Sequence, residues 1–190
     1  MRNNIDHLII ALIFITAVSC KEAESNTQIT FNQSQKNTEA IAKNPFLKFV
    51  GEWTLKDDSW TQNWGYGTET IKILNHHTVC SAINTSHSLL SVIDGPEPNG
   101  HIFWVYNPVT EEVSHLSSFG DIRIGKGSGA LNENADLKLK ISFEGEAKGT
   151  YRIYNYKWTN TNEYHMKSVQ YAEDDTPTGL FYEGTFVRIK

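Results

Sequence analysis

Leu137-Lys138-Leu139-Lys140-Ile141-Ser142-Phe143 alternates without a break, apolar at every odd position and polar at every even one. Successive side chains of a strand point to opposite faces, so this stretch predicts a strand with one buried and one wet face. The chain after Trp53 repeats the theme less cleanly. Short β-rich runs fall at roughly 52–60, 64–75, 77–85, 88–94, 101–107, 111–119, 121–130, 136–144, 149–159, 162–171 and 179–189. Turn residues separate them: Asp94-Gly95-Pro96, Asn99-Gly100, Asn107-Pro108, Glu144-Gly145 and Thr176-Pro177-Thr178-Gly179. No long 3.6-residue periodicity supplies a crossover helix, so successive strands pair antiparallel. About ten such strands close most naturally as an all-β, up-and-down barrel, which leaves no sheet edge. A two-sheet sandwich is the competing architecture.

A compact signal precedes the first strand. In Asn44-Pro45-Phe46-Leu47-Lys48-Phe49-Val50-Gly51 the asparagine suits an N-cap and the proline a first helical position. Gly51 suits a left-handed exit. The stretch predicts one helical turn of about six residues, with the first strand starting at Glu52. Phe46, Leu47, Phe49 and Val50 are then placed to plug one end of a barrel.

Upstream the composition changes. Residues 1–20 read as a signal segment: Arg2 is basic and Leu8–Val18 is an apolar run, too short for the roughly 20 residues of a spanning helix. Its end, Ala17-Val18-Ser19-Cys20, resembles the bacterial lipoprotein signal, which implies lipidation at Cys20. Lys21-Glu22-Ala23-Glu24 resembles the surface-export signal of some Gram-negative lipoproteins. Residues 21–43 are polar and low in large apolar side chains, so they read as a flexible tether. As a coil they reach on the order of 25–30 Å. Residues 44–190 form the folded domain. The expected location is across the inner membrane, held by lipid at the outer membrane or cell surface.

The formal charge of −5 and the lack of a Lys/Arg-rich run exclude non-specific nucleic-acid binding. With Cys20 lipidated, Cys80 stands alone and no intrachain disulfide forms. Cys80 lies in a strand-like setting without neighbouring cations and reads as a buried, inert thiol.

Histidines raise the question of chemistry. His76 and His77 are adjacent and point apart on a strand, and no His-x-His, Cys-x-x-Cys or His-Glu-x-x-His pattern occurs. His115 shares a face with Val113, Ser117 and Phe119, and His165 with Val169 and Tyr171. If those faces turn inward, each imidazole reaches the interior, to polarise a ligand or bind an iron centre. No metal site is otherwise indicated, and no Gly-x-Ser-x-Gly elbow is present. Gly125-Lys126-Gly127-Ser128-Gly129 lacks the spacing of a phosphate loop. Its three glycines share one face and predict close approach of a neighbour. Ile102, Trp104 and Tyr106 share a face, as do Tyr154, Tyr156 and Trp158. They form either a filled core or an aromatic-lined pocket with polar handles. Trp104, Tyr106, His115, Tyr154 and His165 are the candidate ligand-binding residues.

A helical turn running into Gly51-x-Trp53 and an antiparallel meander resembles the calycin and lipocalin-like barrels, in which this tryptophan closes one end. "YGTETIKIL" (66–74), "VYNPVTEEV" (105–113), "SSFGDIRI" (117–124) and "YEGTFVRIK" (182–190) resemble a bacterial lipocalin-like family of uncharacterised function. The resemblance covers about 46–190 and implies a ten-stranded barrel, with Gly51, Trp53 and Arg188 as structural residues at the closed end. It transfers no activity. Nitrobindin-like haem barrels are a neighbouring possibility. They follow Gly-x-Trp with Gly-x-Gly, where this chain has Leu55 and Asp57, and use a late-strand histidine as iron ligand; His165, on a late strand here, is the residue to test for that role. The resulting expectation is a lipid-anchored barrel that binds a small, mostly apolar ligand without a cofactor. A haem protein or enzyme using an inward histidine, and an envelope scaffold without ligand, are the alternatives.

Overall fold

Alternation in sequence becomes alternation in burial: Leu137, Leu139, Ile141 and Phe143 are buried, and the three residues between them are exposed. The computed structural model describes residues 44–189, except 84–86, 96–98 and 122. The expected signal, Cys20 and the tether lie outside the described residues.

Eleven strands follow one another: β1 Gly51–Asn63, β2 Thr68–Lys72, β3 His77–Ile83, β4 Ser88–Asp94, β5 Gly100–Asn107, β6 Glu112–Phe119, β7 Arg123–Leu131, β8 Leu137–Phe143, β9 Tyr151–Asn160, β10 Glu163–Tyr171 and β11 Pro177–Arg188. From β3 to β11 each strand pairs antiparallel with the next. β11 then pairs back on β1, from Trp53↔Arg188 to Asn63↔Phe181, and the first residues of β1 pair with β3. These ladders close a ten-strand barrel and exclude the sandwich. β2 is an additional strand, bonded to the second half of β1 (Ser59↔Lys72 to Asn63↔Thr68).

β1 departs from simple alternation. Leu55 pairs with Phe186 and Trp60 with Gly184, five positions on one strand against two on the other. Asp57 and Asp58 absorb the excess in left-handed conformations (φ 54° and 52°), where aspartate is tolerated better than most residues. The bulge lets both Leu55 and Trp60 face inward although their positions differ in parity. Across from it the Ile73 N–H donates to the Asp58 carbonyl (2.9 Å) and Lys72 Nζ to that of Asp57 (2.5 Å). The run expected at 64–75 is thereby cut to 68–72, with a bend on one side and a turn on the other.

The opening turn is shorter than expected, a 3-10 turn at Leu47–Phe49 rather than six helical residues. Asn44 still organises it. Its Oδ1 accepts the Phe46 N–H (2.9 Å), and its Nδ2 donates to the Ser88 carbonyl on β4 (2.8 Å). Val50 is already extended, and Gly51 turns the chain into β1 at φ 137°, a region that penalises a Cβ. Phe46 and Phe49, 0 and 1 % exposed, thereby enter the barrel end. Burial of each ring stabilises by about 1.5–3 kcal/mol.

Between Arg123 and Leu131 the inward face of β7 is bare. A Cβ on Gly127 or Gly129 would lie 2.0 or 1.8 Å from a carbonyl oxygen of β8, and one on Gly125 2.6 Å from the Phe143 ring. The glycine stripe therefore lets β8 coil tightly against β7.

Candidate ligand cavity

Inward-facing residues of one barrel half do not meet at the axis. They surround a cavity of about 800 Å3. Its floor is Phe49, whose ring packs against Trp104, Tyr156, Trp158 and Tyr164 at centroid distances of 4.8–6.1 Å. Its far end is lined by Trp64, Lys72 and Leu74, all exposed, so the cavity opens there, under the β1–β2 hairpin.

Aromatic side chains dominate the wall, among them Trp60, Trp104, Tyr154, Tyr156, Tyr164 and Tyr182. Burial raises the pKa of Tyr154, Tyr156 and Tyr164, so these phenols stay neutral donors. The Tyr154 and Tyr182 hydroxyls bond to each other. Those of Tyr156 and Tyr164 have no hydrogen-bond partner among the described residues. Cys80 also lines the wall, with Sγ 3.1 Å from Ser91 Oγ. Burial pushes its thiol up to about 11 against the opposing effect of that hydrogen bond, which suits an inert thiol.

Among the described residues, the charged lining residues are Lys72 and Arg123, without an aspartate or glutamate. Arg123 belongs to a network at the open end. Its Nη2 donates to Glu146 Oε1 (2.9 Å), and Arg152 Nε donates to the same oxygen (2.8 Å). Gln170 Nε2 donates to Glu146 Oε2 (3.0 Å). Arg152 is 1 % exposed, and its Nη1 finds no acceptor among the described residues. Leaving a buried charged donor unmatched costs about 1–3 kcal/mol or more.

The five expected ligand-binding residues fall in different places. Trp104 and Tyr154 line the cavity. Tyr106 faces inward but packs near the closed end, 6.2 Å from His87 and against the core. His115 faces inward and is 6 % exposed, yet both its nitrogens are engaged. Trp104 Nε1 donates to Nδ1 (2.9 Å), which places the proton on Nε2, 2.9 Å from Ser117 Oγ. Burial pulls its imidazole down to about 4, so it is neutral and positions Trp104. His165 corrects the expectation outright: its ring lies on the outer face. Nδ1 is 3.1 Å from Thr185 Oγ1 and Nε2 is 3.5 Å from Glu183. Tyr164 and Met166, its chain neighbours, take the inward positions. A haem inside the barrel fits neither histidine, since one points away and the other has no free nitrogen. No group of three or more His, Cys, Asp or Glu side chains that would hold a metal ion occurs among the described residues.

At the closed end Trp53 is 0 % exposed, and its Nε1 donates to the Phe49 carbonyl (2.8 Å). Arg188 reaches the turn from the last strand through the Val50 and Lys48 carbonyls.

Arg123, Glu146, Arg152, Tyr164 and Tyr182 were not singled out by sequence. One signal was present: Arg152 shares parity with Tyr154 and Tyr156 in β9, which puts a cation on an aromatic inward face. Glu146 carried none, because it sits in a turn.

Fold and cavity define a class: closed antiparallel β-barrels plugged at one end, with an interior chamber of ligand size. In comparisons with known protein families and with curated proteins, no family model and no curated protein matches the chain.

Proposed function

We propose that this protein holds a small, mostly apolar molecule inside its barrel, and that it does so at the cell envelope, anchored by lipid on Cys20. The observation that carries the binding reading is the chamber: about 800 Å3, aromatic-walled and open at one end. That volume falls within the roughly 300–1,000 Å3 of small-molecule sites. The Tyr156 and Tyr164 hydroxyls supply the few polar handles such sites use to orient a ligand. The reading assigns no catalytic step. Anchoring rests on sequence alone, on the short apolar run, the small residues before Cys20 and the polar segment after it.

A neutral naphthylamine dye tests the binding reading. Its fluorescence should rise on mixing with the purified protein, and dodecanol should displace it. Ile93→Trp, which builds bulk into the wall, should lower dye affinity at least tenfold while the far-ultraviolet spectrum stays unchanged. Equal dye binding by the filled variant would refute the cavity as the site. For the anchor, labelled palmitate should enter the wild-type protein in a bacterial host and not Cys20→Ala; equal labelling would reject it.

A further inference from the structure

We propose that the ligand is an amphiphile with an anionic head, and that the head seats against Arg123 at the open end, with the buried Arg152 behind it. This rests on the cavity-binding reading and adds the chemical class of the ligand.

Start from the strand. Arg152 lies on β9 at the same parity as Tyr154 and Tyr156, so it projects into the barrel. It is six residues before Trp158 at the closed end, or about 20 Å along the strand. The cavity separates the two levels. Long cationic side chains usually reach for water, but Arg152 is buried. Its guanidinium carbon lies 5.1 Å from the Tyr182 ring centroid and 5.3 Å from that of Trp64, and both rings line the cavity.

Then count charge. Glu146 is the carboxylate bonded to Arg152 and to Arg123, one negative group against two positive ones. Gln170 takes the other Glu146 oxygen and is neutral. Glu146 thus has little capacity left for Arg152 Nη1. Ser168, an inward residue of β10 that pairs with Tyr154 and Tyr182, is 0 % exposed and also has a hydroxyl without a partner among the described residues. Among the described residues, the charges on the lining itself are the cations Lys72 and Arg123. In a chain of formal charge −5 this sign does not follow from composition.

Buried charge is ordinarily balanced. A fork of planar donors with one arm unmatched suits a compact oxygen anion, a carboxylate or a phosphate monoester. The aromatic chamber below suits an alkyl or ring body. Together they define an amphiphile that enters tail first, with its head at the mouth.

The test compares four probes of equal chain length as competitors of the neutral dye: dodecanoate, dodecyl phosphate, dodecanol and dodecyltrimethylammonium, each below its micelle concentration. Both anions, or one of them, should bind at least tenfold more tightly than dodecanol, with the cation weakest. Which anion leads distinguishes a carboxylate from a phosphate ligand, and inorganic phosphate alone should compete weakly. Arg123→Gln should shrink the anion-to-alcohol ratio below threefold. Glu146→Gln, which removes the competing carboxylate, should widen it, a gain that misfolding would not produce. Dodecanol binding as tightly as both anions, or ratios unchanged in both variants, would overturn the proposal and leave cavity binding standing. Failure of all four probes to displace the dye would overturn both readings.

Discussion

The guanidinium carbon of Arg188 stands 4.2 Å from the centroid of the Trp53 ring. The last strand is thus stacked on the first where the barrel closes. The same side chain donates to the Val50 carbonyl (2.5 Å) and the Lys48 carbonyl (2.9 Å), backbone groups that the short turn leaves without partners. One residue therefore joins the closing strand, the opening strand and the plug. Arg188→Ala removes the cation–π contact and two charge-assisted hydrogen bonds, which should cost about 2–3 kcal/mol. Thermal unfolding should shift down by roughly 4–12 °C. Arg188→Lys should recover less than half, since an ammonium cannot fork across two carbonyls and a ring.

The glycine stripe makes a steric prediction. Gly127→Ala places a Cβ 2.0 Å from the Lys140 carbonyl oxygen. Backbone cannot yield there without opening the β7–β8 ladder, so destabilisation of about 3 kcal/mol or more is expected. Lys126→Ala, one position away on the wet face, should stay within about 1 kcal/mol, because it loses only a surface ion pair with Glu144. Denaturant unfolding of the two variants checks the contrast.

Tyr154 and Tyr182 share a buried hydroxyl contact. Tyr154→Phe or Tyr182→Phe alone strands the remaining hydroxyl and should cost about 1–3 kcal/mol. The double variant should be less destabilised than the two single costs added together. A double-mutant cycle measures this coupling, and strict additivity would count against the contact.

Acid should destabilise the barrel through two histidines. Burial holds His115 and His76 at about 4, with the neighbouring His77 adding to the effect on His76. Their ordinary value is 6.5. Between those values the unfolded chain binds more protons than the folded one, so stability rises with pH. The contribution is complete above about 6.5 and is lost as pH falls towards 4. The cost reaches about 3 kcal/mol per histidine at the acid limit. His115→Gln should flatten the stability profile across this window, which urea titrations at successive pH values would reveal.

Local rules made much of the fold legible. Leu137–Phe143 could be read directly because each residue is either core or solvent and nothing interrupts the two-residue period. The turn before Gly51 was visible in Asn44, Pro45 and the aromatics, although its hydrogen bonds close as a 3-10 turn. Which residues of β1 beyond Leu55 face inward was not legible, because two aspartates in left-handed conformation reset the parity, and aspartate pairs read equally well as a surface turn. His165 was ambiguous for a related reason: both faces of β10 carry bulky side chains, so composition did not say which one is inside.

The sequence by itself determined the period, the turns, the plug and the aromatic excess, because these depend on residues close in the chain. Tertiary structure decided what those elements enclose. Closure of β11 on β1 sets the barrel circumference, and the glycine face of β7 sets how tightly one wall coils. Together they leave a chamber where the residues were also compatible with a filled core. The charge at its mouth depends on Arg123, Glu146, Arg152 and Gln170, which come from three strands and a turn. Their electrostatics depend on distance in space and on exclusion of water, neither of which is encoded in their separation along the chain.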